Sequence, residues 1–445
     1  MARRRGIGLA LMVLPLAGMF TAALPQQVRE EWVARYDGPV SGDDAAIAAA
    51  LMETDKDGNL LVTGWSHGDA TRVDFATLKY DLEGNLLWVA RFDGPRGYNS
   101  PAAIAVDDAG SVYVTGSIQS APGPSIVTLK YNSDGQLLWA NYYAGPRNYD
   151  WSTDLRVGAS GRVYVAGSSG CATSSLCYQL LLLGYDSDGN ELFETRYGED
   201  VTFEHTYGQR MAVDEAEHVY ISGEGGAYNK LVTTKFDSSG QLIWDAQYFS
   251  GSSSFVGAIA VNPEGEVFVA GYVTGEGRLV MATLKYAADG EAQWVKRFSS
   301  RPGYALALAL DGRGNICVAG ATENPSTRYR EMTTVKYDAD GTELWVDFYS
   351  GSGQGDGEVK AAACDPEGNC YVTGWTTNQS EDFATIRYGV SGSRDWVIGY
   401  DGPARSSDLA NTIHIDSRRN VYVTGISTGV KTQGDFAAIK YSQSP

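Results

Sequence analysis

The chain has 445 residues, a formal charge of −19 and four histidines, with 53 glycines, 27 tyrosines and 10 tryptophans. A surface this acidic repels phosphate backbones and lacks the basic footprint of a nucleic-acid binder. Four scattered histidines make no zinc site, and a glycine-rich, aromatic-rich chain with little helical periodicity reads as all-β with many turns.

Residues 1–23 have the layout of a secretory signal. Arg3–Arg5 form a basic start, Ile7–Phe20 an apolar run, and Thr21-Ala22-Ala23 supplies small residues for cleavage after Ala23. Pro15 and Gly18 interrupt a run already short for a membrane span. The expected product, 24–445, is a single exported domain in the periplasm, at the cell surface or outside the cell, not membrane-spanning and monomeric.

From residue 44 to 441 the sequence repeats with a period of about 51 residues. One unit contains four short β-rich stretches, AAIAVD at 102–107, SVYVTG at 111–116, SIVTLKY at 125–131 and QLLWANYY at 136–143, designated a, b, c and d. Tight Asp/Asn-to-Gly turns join a to b (Asp107–Gly110) and c to d (Asn132–Gly135), as in a type I turn closed by a left-handed residue. Eight b strands end in Gly64, Gly116, Gly167, Gly223, Gly271, Gly320, Gly374 and Gly425. Eight c strands end in an aromatic, from Tyr80 to Tyr441, but only seven d strands follow them, from the one bearing Trp88 to the one bearing Trp396. The missing d strand is at the opposite end, in EWVARYDGP at 31–39. A ring in which residues 31–37 complete the last unit removes the mismatch and leaves no large open edge. The predicted fold is therefore an eight-bladed β-propeller of four-stranded antiparallel blades, closed by the N-terminal strand, with 24–30 and 442–445 as loose ends.

The units, including Ile104–Asp107, Val112–Gly116 and Asp74–Trp88, resemble the bacterial SBBP-type β-propeller repeat family over 31–441. That resemblance implies a secreted surface or periplasmic protein and brings no catalytic residues; its seven blades yield here to the count of eight. A weaker likeness is to the tryptophan-docking repeats of quinoprotein propellers, through the spacing Gly84–Trp88 and Gly341–Trp345. There the tryptophan joins blades, so Trp88 is expected to be an interblade wedge, and no quinone or other cofactor is implied.

Of the five cysteines, Cys171 and Cys177 share a loop and are expected to form a disulfide. Cys364 and Cys370 flank the turn DPEGN where another unit has Val106 and Val112, so a cross-strand bridge is expected there too, with two buried thiols as the alternative. Cys317 is left over.

Antiparallel order places the uniform a–b and c–d turns on one face and the long, variable b–c and d–a connections on the other, where binding groups belong. Candidate binding residues there are Trp65, Tyr98, Tyr149, Trp151, Tyr304 and Trp375, whose rings suit sugars or peptide side chains but equally suit gaps between blades. Carboxylates and histidines on that face (Glu199, Asp200, Glu204, His205, His67, Asp69, Glu381) show no catalytic spacing, and Asp55–Asn59 and Asp186–Asn190 fall at ordinary hairpin turns without a calcium loop's distal ligands. No catalytic, metal or cofactor site is assigned. The leading function is a secreted, non-enzymatic module that binds a glycan or protein through the loop face. The alternatives are a hydrolase or lyase at the channel mouth and a structural envelope component.

Overall fold

The computed structural model describes residues 28–39, 51–68, 73–94, 99–172, 177–198, 209–225, 230–249, 253–275, 277–351 and 355–443. The expected signal segment and Tyr98 lie outside them. The described chain is all-β, in eight four-stranded antiparallel sheets. Blades 1–7 take their four strands consecutively, at 51–92, 99–143, 150–197, 210–248, 254–298, 303–349 and 357–400. Blade 8 takes strands Asp408–Ile415, Val421–Thr428 and Gly434–Gln443 and receives Val28–Tyr36 as its outer strand. Each a strand packs against the a strands of the two adjacent blades, the first against the eighth, so the ring closes with strand a innermost.

Closure is more extensive than the sequence suggests. Pairing runs from Val28↔Gln443 to Tyr36↔Phe436, so residues 28–30 and 442–443 are strand and not loose ends. The register extends because Arg29 and Val28 continue to find backbone partners past Tyr441. The joint is also pinned by side chains. Arg35 donates to Asp435 at 2.7 Å and to the Ser427 carbonyl at 2.9 Å, and Trp32 Nε1 donates to the Leu82 carbonyl of blade 1 at 2.9 Å. Thr54 and His414 meet at 3.0 Å across the innermost strands of blades 1 and 8.

The Trp32 contact is one instance of a rule. Trp88, Trp139, Trp244, Trp294 and Trp345 each donate from Nε1 to a carbonyl in the c–d turn of the following blade. The ring lies flat on that turn's glycine: at Gly135, with φ +80°, a Cβ would stand 2.7 Å from the Trp88 ring. Only glycine satisfies both the left-handed turn and the close approach. Trp88 is thus an interblade wedge, as the likeness to tryptophan-docking repeats implies. The core is likewise interblade, each blade's b and c strands burying Val, Leu, Ile and Tyr side chains against the next.

Candidate functional site

In blades 2, 3 and 5–8 strand a carries a bulge before its midpoint, between Ser152 and Asp154 in blade 3, for example. The bulge presses an a-strand carbonyl onto the terminal glycine of strand b: a Cβ on Gly167 would lie 2.3 Å from the Trp151 oxygen. That explains the repeated glycine and fixes the pair just above it. Ser100 faces Ser117, Trp151 faces Ser168, Phe255 faces Tyr272, Tyr304 faces Ala321, Glu358 faces Trp375 and Leu409 faces Ile426. These pairs, on a constant frame at the b–c/d–a face, differ from blade to blade.

Where the facing pair of blade 2 is Ser100 and Ser117, between tryptophan-bearing blades, a cavity of about 350 Å³ opens. Trp65 of blade 1 and Trp151 of blade 3 line it together, with His67, Asn99, Ser117 and Gln119 as polar groups. Trp65 is half-buried and braced edge-on by His67, at 5.5 Å between ring centroids. Trp151 sits between Tyr149 at 6.2 Å and Tyr178 at 5.5 Å, so Tyr149 supports the site from behind its wall. Asn99 is fixed by its donation to the Val73 carbonyl at 2.9 Å. Apolar ring walls with a few aimed polar groups are the usual make-up of a small-ligand pocket.

Across the ring, between blades 5 and 6, a larger cavity of about 660 Å³ is lined by Arg278, Arg301, Arg328, Arg330 and Tyr304. Arg301 pairs with buried Glu331 and lies 3.6 Å from the Phe348 ring centroid. Arg328 pairs with Glu323, and Arg330 with Asp356 at 3.1 Å and Glu358 at 3.5 Å. Tyr304 donates to Glu358 and accepts from Arg330 at 2.8 Å. Trp375 is only 8% exposed, with the Arg330 guanidinium 5.9 Å from its ring. It packs blade 7 to blade 6 and lines neither cavity.

On and against the innermost strands lie titratable groups that sequence reasoning missed. Glu224 occupies in blade 4 the place that Trp65 and Trp375 hold in theirs, directly after the b-strand glycine. Burial pushes its carboxyl up from 4.5 to about 7, although it accepts from the Val256 N–H at 2.9 Å and feels Arg210. Burial also lowers the Arg210 guanidinium and raises Glu53. The identity of residue 224 was readable by aligning the repeats; its burial was not. Of the other titratable groups named from sequence, His67 lines the aromatic cavity and Glu381 accepts from Ser407 at 2.7 Å. Asp69, Glu199, Asp200, Glu204 and His205 lie outside the described residues. Asp186 accepts from the N–H groups of Asp188 and Asn190 and from the Asn190 side chain, so its carboxylate is occupied by the hairpin turn itself.

Cys171 and Cys177 are disulfide-bonded, with Cα atoms 5.3 Å apart. Cys364 and Cys370 face each other across the a–b hairpin, but their sulfurs stand 3.3 Å apart as thiols, so the expected bridge is not formed. A third sulfur, that of Cys317, left over in the sequence, shares their pocket.

No known family model matches the chain, and no curated protein is similar to it in sequence. Among solved structures, the polysaccharide lyase Uly1 is similar at 10% identity and TM-score 0.49, over 90% of this chain and 91% of that one. Sqt1 from Chaetomium thermophilum is similar at 14% identity and TM-score 0.48, over 74% and 80%. A protein of unknown function from Dyadobacter fermentans is similar at 10% and 0.44, over 93% and 99%. Likeness at this level has no bearing on activity.

Proposed function

We propose that the chain is an exported, non-enzymatic propeller of the SBBP kind that binds a glycan through its b–c/d–a face. The observation that carries this reading is the convergence of Trp65 and Trp151, two blades apart, on one cavity with Asn99, Ser117 and Gln119 at its wall. Indole faces stack on the apolar faces of sugar rings while amides and hydroxyls take their hydroxyl groups. The arginine-lined cavity across the ring is a place for a carboxylated or sulfated unit, because the guanidinium fork takes two oxygens of such an anion in bidentate fashion. The test is a glycan array followed by calorimetric titration of the best ligand. Trp65→Ala and Trp151→Ala should each weaken binding by about 2 kcal/mol, roughly thirtyfold. Unchanged affinity in both variants overturns the assignment of the site. Silence on arrays and in pull-downs overturns the glycan reading.

A second reading, a hydrolase or lyase at the channel mouth, is favoured by Glu224 alone, since a carboxyl held at about 7 can both give and take a proton at neutral pH. Release of new reducing ends from a polysaccharide by the wild type, lost in Glu224→Gln, would establish it; no release from any polysaccharide bound on the array would exclude it.

A further inference from the structure

At each blade interface a residue of strand b packs on a pair that flanks the a–b turn of the next blade. Tyr113 packs on Val157 and Val163, Tyr164 on Val213 and Val219, Tyr220 on Val261 and Val267, Phe268 on Leu310 and Ile316, and Tyr371 on Ile415 and Val421. Leu61 packs likewise on Val106 and Val112. Only between blades 6 and 7 are all three positions cysteine: Cys317 stands in place of the ring, and Cys364 and Cys370 in place of the aliphatic pair. Their sulfurs all lie within 4.8 Å of one another. Three positions from two blades carry the same soft ligand at one of eight equivalent interfaces.

The c-strand cation at this interface changes its contacts as well, much as Lys79 does opposite Leu61 in blade 1, where it pairs with buried Asp55 at 2.9 Å. In blades 2, 4, 5, 7 and 8 the c-strand cation opposite the ring lies over it, as Lys130 over Tyr113 at 5.0 Å and Lys235 over Tyr220 at 5.1 Å, and the lysines among them reach the c–d turn of the next blade, as Lys130 does at the Ser187 carbonyl. Lys336, opposite Cys317, has no ring to lie on. It turns inward, fully buried, donating to Asp311 at 2.7 Å and to the Gly368 carbonyl at 2.5 Å, and it lies beside Cys370. The cation lies near Cys370 and Cys364 and shares its charge between Asp311 and any thiolate formed there.

We propose that Cys317, Cys364 and Cys370 form a buried metal site that takes one Cu(I) ion. Thiolates select soft ions. Three sulfurs around a metal at about 2.3 Å stand about 4 Å apart, which the cluster meets with small side-chain adjustments. Structural zinc takes four protein ligands. Among the described residues no fourth His, Cys, Asp or Glu joins the group, so the donor set fits trigonal Cu(I). Cys317 and Cys370 are buried, whereas Cys364, on the innermost strand, is half-buried and gives an ion its way in. Coordination displaces the thiol protons to solvent and involves no electron transfer.

The test is anaerobic titration of the full chain with Cu(I) against a chromogenic Cu(I) chelator, with X-ray absorption of the product. Cys171 and Cys177 are changed to serine in every protein compared, and the remaining thiols are reduced. Binding of one equivalent with sulfur as the only near neighbour, and a higher melting temperature on binding, are expected. The triple variant Cys317→Tyr, Cys364→Val, Cys370→Val recreates the packing of the other interfaces and should fold yet bind no copper. Should it fail to fold, Cys370→Ser alone must lose the bound equivalent, and Lys336→Met should weaken binding roughly tenfold to hundredfold, as removal of a supporting group does. The proposal is overturned by failure of the reduced parent chain to bind, by copper retained in the triple variant or in Cys370→Ser, by preference for Zn(II), or by a native Cys364–Cys370 disulfide whose reduction yields no copper binding.

Discussion

The two faces of the ring use the same backbone frame, but their polar groups are engaged differently. On the turn face the Asp carboxylates at 81, 107, 186, 365 and 416 accept from N–H groups of their own turns or their side chains, and the tryptophan N–H groups and most c-strand lysines share the turn carbonyls of the next blade. On the loop face Trp65 and Trp151 border one cavity, and four arginines, three of them paired with carboxylates that differ from blade to blade, border another. Repetition marks the side where each group has a structural partner in every blade. Variation marks the side where ligands can compete for groups. Substitutions on the turn face should therefore move stability and spare binding, and those on the loop face should do the reverse.

The largest break in that comparison is at the closure, which both faces need. Deleting residues 28–36 strips the outer strand from blade 8, exposes the edge of Gly434–Gln443 and removes Trp32, Val33 and Tyr36 from the packing. At about 1.5–3 kcal/mol per large buried side chain, the loss is about 5 kcal/mol or more. Thermal unfolding should become non-cooperative or shift far down, and binding should vanish with it. An unchanged unfolding curve would mean that the ring does not depend on this strand.

Glu224 gives the next effect, and it carries a pH signature. Its folded pKa, about 7, lies above its ordinary value of 4.5, so between those values the folded state holds a proton that the unfolded chain has released. Stability therefore falls as pH rises through that window, and the whole cost is present above it. Glu224→Gln removes the cost and keeps an acceptor for the Val256 N–H. The variant should be more stable than wild type by up to about 3 kcal/mol at pH 8 and equal to it at pH 4. Denaturant titrations at the two pH values check this; equal differences at both would mean that burial does not control the carboxyl.

The sequence discloses the scaffold because its constraints are local and recur. The Trp88 docking surface is announced by a glycine four residues before each tryptophan, and the closure by a surplus of c strands over d strands. The loop-face cavities are not legible in this way. Trp65 and Trp151 border one cavity across Ser100 and Ser117, small residues of blade 2 that neither tryptophan's own repeat contains. Trp375 has the same place in its repeat as Trp65 but is buried, because Arg330 of the neighbouring blade covers it. Cys317 looked solitary only because it was compared with other cysteines. Compared with Tyr113 and Tyr371 in equivalent strands, it stands where a ring should meet the pair held by Cys364 and Cys370.

The smallest effect separates the faces most cleanly. Trp88→Phe keeps an aromatic ring over Gly135 and deletes one N–H, whose acceptor, the Ser133 carbonyl, still receives Lys79 at 3.2 Å. Losing one hydrogen bond at a half-exposed site costs about 1 kcal/mol, and glycan affinity should not change. Trp65→Phe is the mirror experiment. Trp65 is only half-buried, so stability should hardly change, whereas the smaller ring covers less of a sugar face and should weaken binding several-fold. Measured side by side, by denaturation and by calorimetric titration, the two substitutions should cross over. If both move only stability, the aromatic cavity is packing like that around Trp375, and the ligand of this propeller has to be sought at the arginine-lined cavity instead.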